Sequence, residues 1–298
     1  MVKLLIEKGY VNINAKDSGG WTALHIAARE NYYDLVKYLI SNNKIDINDG
    51  DKNLNTPLHI ASQYGNYDIA QLLINHNAKI NIKNHDGWTL LHIACQNECT
   101  AVVNYLLEYE AKVDMKTNDG KTALHISCEN DNKRIVQNLI DNKADIDLET
   151  YDGWTALQFS IYYNNPNIVR YLLSKSPSIE KKNDNGYTTL DIAYQVKNKE
   201  ILDMLIDYMS KVDTTLHWAC YMGNGDIVEK LLENNVEIKR KTKFGINNHD
   251  NEFKGKTAKE IAKLRGNKEI IKIIKKKEYI KLAKIAFKGA SMVAEFVC

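Results

Sequence analysis

No apolar run in these 298 residues approaches the ~18 needed to cross a bilayer, so no membrane span is expected. The opening MVKLLIEKGY brings Glu7 and Lys8 into its first turns and lacks an apolar core ending in small residues. It does not resemble a secretory signal, and a cytoplasmic location is expected, with a host cytosol as the alternative for a secreted effector. The five cysteines, an odd number, form no disulfide framework and complete no zinc set. Cys298 is the last residue, and with no cysteine four from the end no prenylation box is expected in this tail. No Gly-rich phosphate loop follows a strand, and neither an HExxH helix nor a nucleophile elbow is present. The expectation is therefore a protein that is not an enzyme, with no catalytic, cofactor-binding or metal-binding residue. Lysines and aromatics are not interleaved along one face, so nucleic acid is not an expected partner.

What the chain does have is a four-residue phrase that recurs almost periodically: TALH from Thr22, TPLH from Thr56, TLLH from Thr89, TALH from Thr122 and TALQ from Thr155. The intervals are 34, 33, 33 and 33 residues, with TTLD from Thr188 another 33 on. A period in this range is the signature of stacked helical units that bury a core between neighbours. Residues 84–115 show one unit in full. Asp86-Gly87 forms a tight-turn pair, because glycine reaches positive φ without steric cost. Thr89 offers its hydroxyl to the free N–H groups of a helix start. Leu91, Ile93, Ala94 and Cys95 make the apolar side of a short first helix. Val102, Val103, Leu106 and Leu107 then form the buried stripe of a second. Cys95, Cys128 and Cys220, each six residues after the threonine, read as small buried positions, not reactive thiols.

The Asp/Asn-Gly turn, the TPLH phrase and the Val-x-x-Leu-Leu helix together resemble the ankyrin repeat, in register over nearly the whole chain. The resemblance implies an all-α repeat solenoid, with projecting β-hairpin loops and first helices on a concave face and second helices behind. About seven full units plus a partial N-terminal one are expected. It also implies a structural role for His25, His59, His92, His125 and His217. In the family this histidine bonds the threonine hydroxyl and neighbouring backbone. Gln158 and Asp191 stand in its place at the fifth and sixth phrases, and those two units are expected to be softer.

The expected organisation is a partial repeat over 1–16, repeats over 17–209, a repeat with shortened entry over 210–242, an inserted loop over 243–256, a degenerate capping repeat over 257–277, and a basic then apolar helix or tail over 278–298. Val2 to Glu7 read either as a degenerate half-repeat cap or as the place where a longer chain has been cut. The phrase TTLH from Thr214 comes only 26 residues after Thr188, and TAKE from Thr257 a further 43 on. Residues 239–288 hold 17 Lys+Arg against 5 Asp+Glu, so an acidic array runs into a basic end. That end suits a polar terminal cap, an anionic membrane surface or an acidic partner.

Function is expected at positions the repeat leaves free: the residue before the threonine, and the seventh and eighth after it. The aromatic ones stand out because tyrosine and tryptophan supply much of the energy of protein interfaces. The candidate partner-binding residues are Trp88, Trp154, Tyr162, Tyr163, Tyr187, Tyr221 and Met222. Three functions follow in order. The first is a non-catalytic scaffold that binds a partner protein through the concave surface. The second is an adaptor whose basic amphipathic helix engages an anionic membrane or acidic partner. The third is a regulatory fragment of a larger enzyme or channel. Abundant Asn, Lys, Ile and Tyr resembles proteins of AT-rich genomes, which makes a host protein one expected partner; a monomer is expected.

Overall fold

The computed structural model describes residues 12–209, 215–233, 236–239, 241, 253 and 255–295, with side chains as far as 283 and excepting that of residue 215. The expected partial repeat around residues 2–7, the entry at 210–214 and most of the loop over 243–256 lie outside the described residues. The chain forms two compact units, residues 1–198 and 199–298.

In the first unit short helices alternate with slightly longer ones: α1 (Ala23–Arg29), α2 (Tyr33–Ile40), α3 (Pro57–Gln63), α4 (Tyr67–Asn75), α5 (Leu90–Gln96), α6 (Thr100–Glu108), α7 (Ala123–Glu129), α8 (Lys133–Asp141), α9 (Ala156–Tyr162), α10 (Pro166–Ser174) and α11 (Thr189–Val196). Each first helix starts where the phrase threonine sits in extended conformation and closes a capping box with the residue three further on. Each then stops after about two turns, because the residue nine after the threonine takes a left-handed φ, at Asn31, Gly65, Glu98, Asp131, Asn164 and Lys197. First helices pack on first helices (α1 on α3, α3 on α5, onward to α11), and second helices pack likewise from α2 to α10. Between the two rows lies a core of Leu24, Leu58, Leu91, Leu124 and Leu157 from the first helices. Leu39, Leu73, Leu106, Leu139 and Leu172 complete it from the second, all essentially without solvent contact. Cys95 and Cys128 fill small core positions, and burial pushes the Cys95 thiol up to about 12.

The projecting turns contain no regular strand among the described residues; isolated bridges, Glu149 to Thr155 and Lys182 to Thr188 in the first unit and Lys241 to Thr257 in the second, mark their bases. Side chains do the work that a longer ladder would do. Oδ1 of Asp17 accepts from the N–H groups of Gly19 and Trp21, and Asp51 and Asn84 repeat the arrangement one and two units on. Successive tips are joined by backbone bonds from Lys52 N–H to Gly19 C=O, His85 to Asn53, Asn118 to Asp86, Tyr151 to Asp119 and Asp184 to Asp152.

The second unit comprises α12 (Lys199–Met209), α13 (Thr215–Met222), α14 (Gly225–Glu233), α15 (Ala258–Leu264) and α16 (Lys268–Glu295). Leu216, Val228, Leu231, Ile261, Ile270 and Ile274 share its core with Phe253, a residue of the expected inserted loop that is itself buried. Cys220 is buried in the same core.

Candidate functional site

In three units the phrase histidine connects one unit to the next. In the units of Thr22, Thr89 and Thr122 its Nδ1 accepts from the threonine N–H at 3.1–3.2 Å. Nε2 therefore carries the proton and donates to the residue before the next threonine: His25 to Asn55 C=O at 2.9 Å, His92 to Lys121 at 3.2 Å and His125 to Trp154 at 3.0 Å. Burial holds His59, His92 and His125 down at about 4, so these rings are neutral structural groups. Gln158 keeps the first role, with Oε1 accepting from Thr155 N–H, but its Nε2 donates to Lys181 C=O and not to Tyr187, the residue before the next threonine. Asp191 keeps only the first, since a carboxylate cannot donate.

The His125 bond fixes the backbone of Trp154, the residue before its threonine, and two other units also place a tryptophan there, Trp21 and Trp88. Trp21 is half-buried and carries the guanidinium of its own Arg29 at 5.3 Å from the ring centroid. Trp88 and Trp154 hold the same position two and four units later, and at Arg29's place they have Gln96 and Tyr162. Each lines a groove. The Trp88 groove, about 330 Å³, is bounded by Asn55, Asp86, Ile93 and Gln96. The Trp154 groove, about 250 Å³, is bounded by Asp119, Lys121, Asp152, Phe159, Tyr162 and Tyr163.

The Trp154 groove is the aromatic centre of the molecule. Trp154 meets Phe159 and Tyr162 edge-on at 5.7 and 5.4 Å, Tyr162 meets Tyr163 edge-on at 5.3 Å, and Phe159 and Tyr163 are stacked at 6.1 Å. Tyr163 donates its hydroxyl to Glu129 at 2.7 Å. The other oxygen of Glu129 accepts from Lys121 at 2.9 Å, and the Lys121 ammonium stands 5.3 Å over Phe159. Burial and the Glu129 carboxylate push the Tyr163 phenol up to about 12, so it remains a donor at neutral pH. Tyr162 is nevertheless 57% exposed and Tyr163 41%. Substantial aromatic surface stays in solvent although each ring has found neighbours.

Of the predicted residues, Trp154, Tyr162 and Tyr163 come together, and Trp88 lines the groove two units earlier. Tyr187, exposed, lies one unit beyond the Trp154 groove. Tyr221 and Met222 belong to the second unit, where Tyr221 packs edge-on against Phe253 at 5.3 Å beneath the Arg265 guanidinium and Met222 remains exposed. Phe159 was not among the sequence candidates. Its signal was available: it stands where other phrases place Ile26, Ile60, Ile93 and Ile126, the one aromatic at that position in the first five phrases.

No curated protein matches the chain. Among solved structures its fold is similar to the ankyrin repeat domain of Bcl-3, a member of the IkappaB protein family, with a TM-score of 0.62 and 24% identity over 68% of this chain and 90% of that one. A family model described as ankyrin repeats in three copies matches residues 1–51, 45–117, 109–183, 133–215 and 178–242. With the histidine-linked units and the tip ladder, these matches establish that the chain belongs to the ankyrin repeat family, whose repeats are in general protein–protein interaction modules.

Proposed function

We propose that this chain is a non-catalytic, cytoplasmic scaffold that binds a partner protein through the face made by its tips and first helices. The observation that carries the reading is the Trp154, Phe159, Tyr162 and Tyr163 groove. Its exposed tyrosine surface contributes little to the core, whereas such rings anchor interfaces when desolvated. Affinity capture with the full chain tests it. The double variant Tyr162→Ala/Tyr163→Ala should lose a specific set of captured proteins, while thermal unfolding moves by only a few degrees and a variant of the exposed Lys133 on α8 keeps that set. A capture profile indifferent to both tyrosines would overturn the reading.

A second reading, recruitment to an anionic membrane, has its own support. On α16, Tyr279 and Leu282 are 75% and 66% exposed beside Lys275, Lys276 and Lys281. Co-sedimentation with phosphatidylserine vesicles should then fall in Tyr279→Ala/Leu282→Ala; binding unchanged in that variant would sink it.

A further inference from the structure

Trp21, Trp88 and Trp154 stand at one position of the repeat, yet the first differs from the other two. The indole of Trp21 is already occupied by the guanidinium of Arg29, at the far end of the first helix of the same unit. Trp88 and Trp154 have no arginine at that place, and among the described residues no cation stands over either indole. A carboxylate edges each of these grooves, Asp86 at Trp88 and Asp152 at Trp154, with Asp119 also lining the latter. Asp152 makes no ion pair or side-chain hydrogen bond with a described residue. Asp86 has the imidazole of His85, equally exposed, at 3.5 Å and no lysine or arginine partner among the described residues. Among the described residues the one cation lining the Trp154 groove, Lys121, is paired with Glu129. Both sites thus offer an indole and a carboxylate, the pair of groups that attracts a guanidinium. Over described residues 12–198 the balance is 23 acidic against 18 basic side chains, which favours a basic partner.

We propose that the Trp88 and Trp154 grooves take two arginine side chains, six residues apart, from one extended segment of a partner protein. This rests on the tip-and-first-helix face being the binding face. The spacing follows from the stack. The two grooves are separated by two steps of first-helix packing, α5 to α7 to α9, and at ~8–10 Å per step this is roughly 16–20 Å. Six residues of extended chain span about 20 Å, and an even number returns the side chain to the same face. A spacing of five or seven turns one arginine away. Each groove alone is shallow and exposed, so affinity comes from joining the two on one chain.

The test uses the full chain and fluorescein-labelled peptides of otherwise uncharged, serine- and threonine-rich sequence, read by fluorescence anisotropy. The peptide with arginines six apart should bind at least ~10-fold more tightly than one with a single arginine or with arginines five apart. Trp88→Ala and Trp154→Ala should each reduce it to the single-arginine level, and Asp152→Asn should weaken it several-fold, with melting temperatures confirming that each variant is folded. Equal binding of glutamate-bearing or five-spaced peptides, no binding of any peptide, or indifference to both tryptophans would each overturn the proposal. If the peptides fail while protein capture still depends on Tyr162 and Tyr163, the arginine assignment falls alone. If capture is also indifferent, the binding face falls with it.

Discussion

His125 donates its Nε2–H to the carbonyl oxygen of Trp154, 3.0 Å away and one unit on. The same ring accepts from Thr122 N–H through Nδ1 at 3.2 Å and meets Phe159 edge-on at 5.4 Å. One imidazole therefore closes a helix start, ties two units together and supports the floor of the candidate site. His125→Ala leaves the Trp154 carbonyl and the Thr122 N–H without these partners and removes a fully buried ring, so denaturant unfolding should show a loss of about 2–4 kcal/mol. His125→Gln should cost less than His125→Ala, since Gln158 shows that an amide here still accepts from its threonine N–H and donates to a backbone carbonyl further along the chain, that of Lys181. An alanine variant as stable as the glutamine variant would show that the ring only fills space.

The buried histidines also set a pH dependence. Burial lowers His25, and holds His59, His92 and His125 at about 4, so the folded state keeps them neutral while the unfolded chain protonates them near 6.5. The unfolded state binds more protons between these limits, so the stability they contribute is complete above about pH 6.5 and is lost progressively as pH falls towards 4. Each strongly shifted ring should account for roughly 1–2 kcal/mol between pH 7 and pH 5. Urea midpoints should fall steeply over that range, and more shallowly in His125→Gln. A flat profile would mean that these rings stay solvated.

A strained tip supplies a stabilising substitution. Leu54 occupies the place taken by Gly20, Gly87, Gly120, Gly153 and Gly186 in other units, and it has their left-handed backbone, φ 61°, with its side chain 53% exposed. A branched L-residue pays about 1–2 kcal/mol there, while an exposed leucine returns little burial. Leu54→Gly should therefore stabilise the protein by about 0.5–1 kcal/mol, after the larger unfolded-state entropy of glycine is counted. Destabilisation in urea unfolding would mean that the leucine side chain holds the tip.

The array was legible in the sequence because its constraints are local and repeat. A threonine that caps, a small residue that must fit between helices and a glycine that must take positive φ recur at fixed spacing, so each copy supports the others. Trp154, Tyr162 and Tyr163 were legible for the complementary reason: large aromatics stand where the scaffold asks for none. Phe159 escaped because aromatic and aliphatic side chains both satisfy an apolar position; only the geometry shows its ring against Trp154 and under Lys121. The tip bonds of Asp17, Asp51 and Asn84 were hidden too, since a polar residue in a turn has many partners open to it until the backbone is placed. Tyr221 looked like Tyr162 by position, but the irregular 43-residue interval brings Phe253 against it, which a fixed period cannot anticipate.

Gly120 and Gly186 provide a paired test of the tip ladder. Both have left-handed backbones, φ 84° and 79°, so alanine is strained at either position. They differ in what a methyl group would meet. At Gly186 nothing lies within 4 Å, whereas at Gly120 the methyl would run into the backbone nitrogen of Tyr151 and approach the Thr150 carbonyl carbon to 2.9 Å. Tyr151 N–H is the donor to Asp119 C=O in the ladder, at 3.3 Å, and Asp119 lines the Trp154 groove. Gly186→Ala should cost about 1–2 kcal/mol from backbone strain alone. Gly120→Ala should cost at least ~1 kcal/mol more, because rigid backbone must move apart. It should also speed hydrogen exchange at the Tyr151 amide while leaving the amides of α1 and α2 protected. Equal losses in the two variants would show that the tips are spaced loosely enough to absorb a methyl, and the groove between Asp119 and Trp154 would then owe nothing to their contact.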